Sequence, residues 1–424
     1  MPKLHNDLLI CDLTQSYAPT GGGGVSTYLR EKRRHVLERT PHRLLQIVPG
    51  PEDRVVENGR HIWVEVAAKQ VRGSPNYRFI LRTAAVRAVL ERYRPDVIES
   101  LCPWVLPWTA IGYRNAHPEC TLVAGYHTDF PNVHIHRVGE ALFGRRVAHA
   151  LRKVAVGYAG VTYGAFDRLY ALNQPVRDQL AGWGIDHVDV LSLGADTDLF
   201  SPARRDPGFR ASLGLPETHG PLLTYAGRID NEKRADRLIE MFRRLPPQMG
   251  AVLAMFGDGK LRDRLIAETR GMAVALPGFV DDRRYLARAL ASSDIYVSAM
   301  ADETFGISVI EAQAAGLPVV GVASGAMPAR VPAGLGYLGP VDDVEAMAAH
   351  VQAVWAGGAA AMGARARAHV VERFSWERTF NRLLADVYPA AMARAAQRRQ
   401  GRWQVAQTQG PMPALARVRA VVRA

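Results

Sequence analysis

The stretch DIYVSAMADETFGISVIEAQAAGLPVVGVASGAMPARV, residues 294–331, opens on an apolar strand, Asp294 to Ser298, followed by a polar loop, Ala299 to Gly306. The run Ile307 to Ala315 has helical length and ends at Gly316, and Pro318 opens another buried strand. The unit is therefore strand, loop, helix, strand, with Glu303 in the loop and Glu311 inside the helix. A strand that feeds a helix and then a second buried strand predicts a parallel sheet in an α/β protein.

The two carboxylates decide the chemistry. Glu303 lies just before the helix N-terminus, where unpaired N–H groups favour a phosphate. Glu311 lies about one turn inside an otherwise apolar helix. A carboxylate accepts two hydrogen bonds side by side and so suits a vicinal diol, such as a ribose or hexose edge. On spacing alone, a helix-cap acid and a charge on an amphipathic face explain the pair equally well.

The flanking residues go further. ETFGISVIEAQAAGLPVV, residues 303–320, resembles the Glu-seven-residues-Glu motif of retaining glycosyltransferases of family 4, and the match includes Phe305, Gly306, Ala312, Gly316, Pro318 and Val319. The resemblance implies a GT-B fold: two Rossmann-like doubly wound α/β domains facing a cleft. It implies that Glu303 contacts the donor hexose and Glu311 the nucleotide ribose. Thr304, Phe305, Gly306 and Ile307 then bind the donor beside them.

Composition agrees with a globular chain of two domains. The chain has 424 residues, 48% hydrophobic and 22% charged, which is globular usage and too long for one ordinary core. Asp7 interrupts the N-terminus, so MPKLHNDLLICDL reads as a first strand rather than a secretory leader. The longest uncharged runs, such as Val154 to Phe166, are too short and Gly-rich to span a bilayer. Cys11, Cys102 and Cys120 are scattered without metal spacing, which fits a reducing cytoplasm. Net charge is +12, and seven arginines follow the last acid, Asp386. Residues 391–424 thus read as a basic tail that binds anionic lipid or nucleic acid, or merely solubilises.

From the N-terminus, strand Leu8 to Leu13 runs into a loop containing Gly22, Gly23 and Gly24, then a helix from about Ser26 to Arg39. Such a glycine loop lets backbone N–H groups approach a phosphate or sugar; its spacing matches neither a dinucleotide fingerprint nor a P-loop. Strands near 44–48, 61–66, 97–100 and 121–126 alternate with helices near 77–93 and 104–115, the pattern of a doubly wound sheet. His127 and Asp129 lie at a strand end, where ligands of such sheets bind. The resemblance puts His127 beside the donor hexose and Asp129 on the acceptor side. His134 and His136, two apart as on one strand face, offer a metal set with them or are plain loop residues. Residues 137–154, with Arg145, Arg146, Arg152 and Lys153 among aliphatic residues, read as a basic helix that rests on a membrane or as a solvated face.

The strand 188–193 leads to Gly194-Ala195-Asp196-Thr197-Asp198. This resembles the family linker rather than a metal-binding Asp-x-Asp, although Ser192-Leu193 stand where an Arg is usual. Arg228 and Lys233 follow strand 222–226, and two cations at a strand-to-helix junction suit a diphosphate. Gly278-Phe279-Val280 is placed by the resemblance against the nucleotide base. The expected domains are 1–195 on the acceptor side, 196–374 for the nucleotide sugar, a crossover helix at 375–390, and the tail.

The expectation is a hexosyltransferase. It moves mannose or glucose from GDP-mannose or a UDP-hexose, as co-substrate, to a sugar, glycolipid or lipid-linked acceptor hydroxyl, without metal or cofactor. It acts in the cytoplasm or on the inner face of the membrane, with Arg228, Lys233, Glu303 and His127 as catalytic residues. The competing readings are a nucleotide-sugar hydrolase or epimerase, and a non-catalytic binder of nucleic acid or membrane.

Overall fold

A computed structural model describes residues 7–17, 23–71 and 74–409. Eight strands form the N-terminal sheet, in the order 188–190, 168–171, 121–126, 97–100, 9–13, 43–50, 61–67 and 54–58. All neighbours are parallel except the last edge strand, which pairs antiparallel with His61–Ala67. The C-terminal sheet has six parallel strands, ordered 274–278, 252–256, 222–226, 295–297, 319–322 and 336–339. The central strands are buried throughout, as near-continuous aliphatic runs require when helices cover both faces. The result is the α/β architecture of two Rossmann-like domains.

Chain order reverses between Leu9–Leu13 and Val97–Ser100 in one sheet and between Leu222–Ala226 and Ile295–Val297 in the other. Such switch points open crevices beyond the carboxyl ends of the strands. The Arg228–Lys233 and Ala299–Gly306 loops leave the second switch point together.

A continuous apolar cluster joins the domains, from Ile10 and Tyr28 through Phe200 and Ala312 to Phe374, Trp376 and Phe380. The chain crosses between them twice, and the crossings touch. Ala195 N donates to Phe374 O at 2.8 Å, and Thr379 Oγ1 donates to Ser192 O at 2.8 Å. A Cβ on Gly194 would lie 2.2 Å from Trp376 N, so only glycine lets the strands pass.

Several elements differ from the sequence expectation. The helix expected near 77–93 is Thr83–Tyr93, because Ser74–Phe79 pairs antiparallel with Lys69–Val71 and Ser16–Tyr17; Tyr77 and Phe79 favour strand. Gly59-Arg60 turns the unforeseen hairpin 54–67, with Gly59 at φ +57°. The expected basic helix is two, Arg137–Phe143 and Arg145–Gly164, broken at Gly144. Beyond Trp376, helical turns continue through Tyr388–Gln409. Part of the expected basic tail is therefore packed helix. Ala391 and Ala395 are fully buried, and Arg398 Nε bonds the buried Asp167 carboxylate at 2.9 Å. Arg417, Arg419 and Arg423 lie outside the described residues. Among the described residues no helix is long and apolar enough to cross a membrane.

Candidate active site

Glu303, on the C-terminal wall, is held from both sides. One oxygen accepts Gly306 N–H at 3.1 Å, and the other meets Lys233 Nζ at 3.1 Å. Gly306 stands at φ +84°, a left-handed conformation that glycine adopts without strain. Its N–H belongs to Glu303 rather than to a free phosphate cradle at the helix tip. Beneath the loop, the buried Arg330 donates to Phe305 O at 2.8 Å and to Leu172 O of the other domain at 3.4 Å. Its guanidinium covers the Phe305 ring at 3.9 Å, and burial lowers its pKa to about 10. Asn173 Nδ2 donates across the cleft to Thr304 O at 3.2 Å.

Arg228 pairs with Asp230, and its Nη2 lies 2.7 Å from Glu232. Asp230 also accepts Lys233 N–H at 2.9 Å, so one carboxylate fixes both cations of the loop. Arg228 is 42% and Lys233 22% exposed, each while held by acids. Burial holds the His134 imidazole below its ordinary pKa, and the charges of Glu232 and Arg228 act on it from the facing domain.

Glu311 is buried inside Ile307–Ala314 and meets Arg283 Nη2 at 2.6 Å. Arg283 begins the helix after the Gly278 loop, lies over the Phe200 ring at 4.7 Å, and also feels Glu31 and Asp196. Asp196 meets Arg34 at 2.6 Å and caps Leu199 N–H at 3.0 Å. This linker acid is thus engaged in structure rather than poised as a metal-binding Asp-x-Asp.

On the N-terminal wall, Gly23 caps the helix Gly24–Arg39, and a Cβ on Gly24 would reach Ile307 Cδ1 at 3.2 Å. The first turns of two helices, one from each domain, therefore abut. Gly22 lies outside the described residues.

One turn into that helix, Tyr28 faces His127, with ring centroids 5.2 Å apart. Burial lowers the His127 pKa to about 4, so at neutral pH the imidazole carries no charge. Tyr28 and Tyr170 hydroxyls each donate to Glu99 Oε1 at 2.7 Å. Lys32 Nζ holds Glu99 Oε2 at 2.8 Å and also pairs with Asp12. Burial alone would raise the Glu99 pKa, but the adjacent Lys32 ammonium holds it below the ordinary value. The Tyr170 hydroxyl also lies 3.2 Å from the Tyr28 oxygen, but the charged carboxylate is the stronger and nearer acceptor of its proton, so His127 Nε2, 2.9 Å away, donates to the Tyr170 oxygen. His127 is therefore a neutral Nε2–H tautomer with Nδ1 as its acceptor atom. Tyr388 of the last helix donates to the same Glu99 and thereby closes the network.

Asp129 accepts Tyr126 O–H at 3.1 Å and Asn132 Nδ2 at 2.6 Å. His134 and His136 lie on a wide helical turn, Pro131–His136, not on a strand. Two residues apart on such a turn point in nearly opposite directions, so the shared-face argument for a metal set fails. Among the described residues no group of three or more His, Cys, Asp or Glu side chains is placed to hold a metal.

The structure thus brings Lys233 and Glu303 into contact, with Arg228 on the same loop as Lys233, and sets Gly24 against Ile307. His127 stands on the opposite wall. Arg283, Arg330, Asn173, Tyr170 and Glu99 were not foreseen. Arg283 and Arg330 had a signal, as cations at the edges of the Gly278 loop and of residues 294–331. The others are ordinary residues of their elements in sequence.

Residues 22–199 match the model of Glycosyltransferase Family 4, and residues 220–356 match Glycosyl transferases group 1. A GDP-mannose-dependent alpha-(1-6)-phosphatidylinositol dimannoside mannosyltransferase of Mycobacterium tuberculosis is 29% identical over 283 residues, 66% of this chain and 70% of that one. Sucrose-phosphate synthase from Thermosynechococcus elongatus superposes with a TM-score of 0.69 at 20% identity, over 94% of this chain and 98% of that one. Anabaena HepE in complex with UDP-glucose gives 0.66 at 20% identity, over 90% and 100%. At that identity the structural likeness speaks for the fold, which is GT-B. With two family models matched in sequence along the chain, each over one domain of that fold, the protein belongs to the group 1, family 4 glycosyltransferases.

Proposed function

We propose that the protein is a retaining hexosyltransferase whose donor is a nucleoside diphosphate sugar, first GDP-mannose, and whose acceptor is a glycolipid or other sugar hydroxyl. The carrying observation is the contact of Lys233 with Glu303 at 3.1 Å, a cation and an acid seventy positions apart that meet at a switch point. The relative that is named GDP-mannose-dependent supports the choice of donor.

In this reading Arg228 and Lys233 hold the diphosphate, Glu303 the hexose hydroxyls and Glu311 the ribose diol. The bond from the anomeric carbon to the diphosphate oxygen breaks, and its electron pair leaves with the diphosphate. The acceptor oxygen bonds to that carbon on the same face, and its proton passes to the departing phosphate oxygen. Both cations stabilise charge where it develops. Neutral His127 orients the sugar by hydrogen bonding from the facing wall and moves no proton at neutral pH. Charge on the leaving group is met by side chains, so the rate is expected to survive a chelator.

The test is a thermal-shift screen of nucleotide sugars followed by product NMR with the donor that stabilises. Stabilisation by GDP-mannose and an α-linked product that needs acceptor support the reading. Release of free hexose without acceptor identifies a hydrolase, and a β-linked product refutes retention.

A further inference from the structure

The helical hairpin Arg137–Phe143 and Arg145–Gly164 carries two apolar faces, and the fold uses one. Ala148, Ala155, Ala159 and Thr162 are buried against the N-terminal domain. Val147, Val154 and Val161, spaced by seven along the other side, are 45%, 71% and 57% exposed. Leu142 and Phe143, at the corner of the hairpin, are 67% and 64% exposed. Trp108, itself 43% exposed, extends this face, since its indole donates to the hydroxyl of Tyr158 on the same helix at 3.2 Å.

Charge flanks the strip on one side. The twenty residues 145–164 contain no acid, and Arg145, Arg146 and Lys153 are exposed, with Arg145 at 92%. Isolated surface aliphatics need no explanation, but a contiguous row of them does. Glu140 of the preceding helix, 44% exposed and 3.7 Å from Arg145, is an acid at this corner, and the cations still outnumber it. A face of aliphatic residues with a tryptophan at its edge and an excess of cations alongside matches the interface of an anionic bilayer. A nucleic acid would reward the cations but leave the valine row in water.

The hairpin is also wired to the cleft. Arg152 Nε donates to Asn132 Oδ1 at 2.5 Å, and Asn132 donates to Asp129. At the other end Arg137 pairs with Asp302 of the donor loop at 2.7 Å.

We infer that this face seats the protein on an anionic lipid surface, with Phe143 and the Val147–Val154–Val161 row entering the headgroup boundary and Arg145, Arg146 and Lys153 meeting lipid phosphates. The inference stands apart from the transferase reading, because vesicle binding requires neither donor nor acceptor.

The test is flotation of the full chain with phosphatidylcholine vesicles, with and without phosphatidylglycerol. Binding is expected only with phosphatidylglycerol, and it weakens with salt. The R145A/R146A/K153A variant is expected to bind roughly 100-fold more weakly, from about fivefold per cation. The F143S/V154S variant loses binding while its melting temperature stays that of the wild type, since both side chains are exposed. No binding to anionic vesicles, or equal binding to neutral ones, overturns the inference. So does undiminished binding by the serine variant. A dimer of the wild type that the serine variant abolishes, without vesicle binding, identifies the face as a contact between copies.

Discussion

Replacing Glu311 by alanine tests the ribose assignment, and the structure bounds the size of the effect. A hydrogen bond to a charged group contributes about 1.5–3 kcal/mol, and a vicinal diol offers two. In the free protein, however, Glu311 is already paired with Arg283 at 2.6 Å. The diol must share or displace that partner, which brings the net contribution down to about 1.5–2 kcal/mol, or roughly 10–30-fold in Kd. Folding is expected to tolerate the change, because Arg283 keeps Glu31 and Asp196 nearby and the Phe200 ring beneath it. Calorimetric titration of GDP and 2′-deoxy-GDP into both proteins makes a double-mutant cycle. Wild type is expected to lose affinity for the deoxy ligand, whereas Glu311→Ala binds both alike. Because the ribose does not react, kcat should change by less than about threefold while KM rises. Additive losses in the cycle, or a fall in kcat at unchanged Kd, would refute the assignment.

Lys233→Ala removes charge stabilisation at the leaving group and is expected to lower kcat by about 100-fold or more, with a smaller change in KM, in steady-state transfer assays. For pH, burial puts the folded pKa of His127 at about 4, below its unfolded value near 6.5. The unfolded chain then binds the proton first as pH falls, so stability is lost from pH 6.5 down towards 4. The cost is about 2 kcal/mol at pH 5. His61, also lowered to about 4, adds in the same direction. Urea unfolding at pH 7 and pH 5 should show His127→Gln with the shallower dependence. Gly194→Ala forces a Cβ to within 2.2 Å of Trp376 N. The two interdomain crossings must then separate, and calorimetry should resolve two melting transitions at lower temperature.

What the sequence disclosed follows from which forces are local. Asp294–Val331 reads correctly because strand, loop, helix and second strand each carry their own signal, down to the glycine that ends the helix at φ +88°. Glu303 and Lys233 were legible as separate motifs, but their contact depends on how two loops leave neighbouring strands. The helix tip was read as an open phosphate site because the sequence does not reveal that Glu303 turns back to take Gly306 N–H. His127 was placed at the correct strand end, yet its neutral state comes from Tyr170, Glu99 and Lys32 on three other elements. The arginines after Asp386 looked like a free tail because charge counts contain no depth. Arg398 finds Asp167, 231 positions earlier, and with it a place in the fold.

That last helix makes the first domain dependent on the end of the chain. Lys32 and Glu99 acquire the Tyr388 hydroxyl, and Asp167 acquires Arg398, only after about 390 residues have been made. Residues 222–339, by contrast, hold all six strands of the second sheet in one contiguous segment. The half that is synthesised first is therefore the half that finishes last. A chain stalled on the ribosome near residue 374 should present a closed second domain and an open, protease-sensitive first one. The first domain's contacts, and with them the cleft, can be completed only once the final helix has docked, after the donor wall exists.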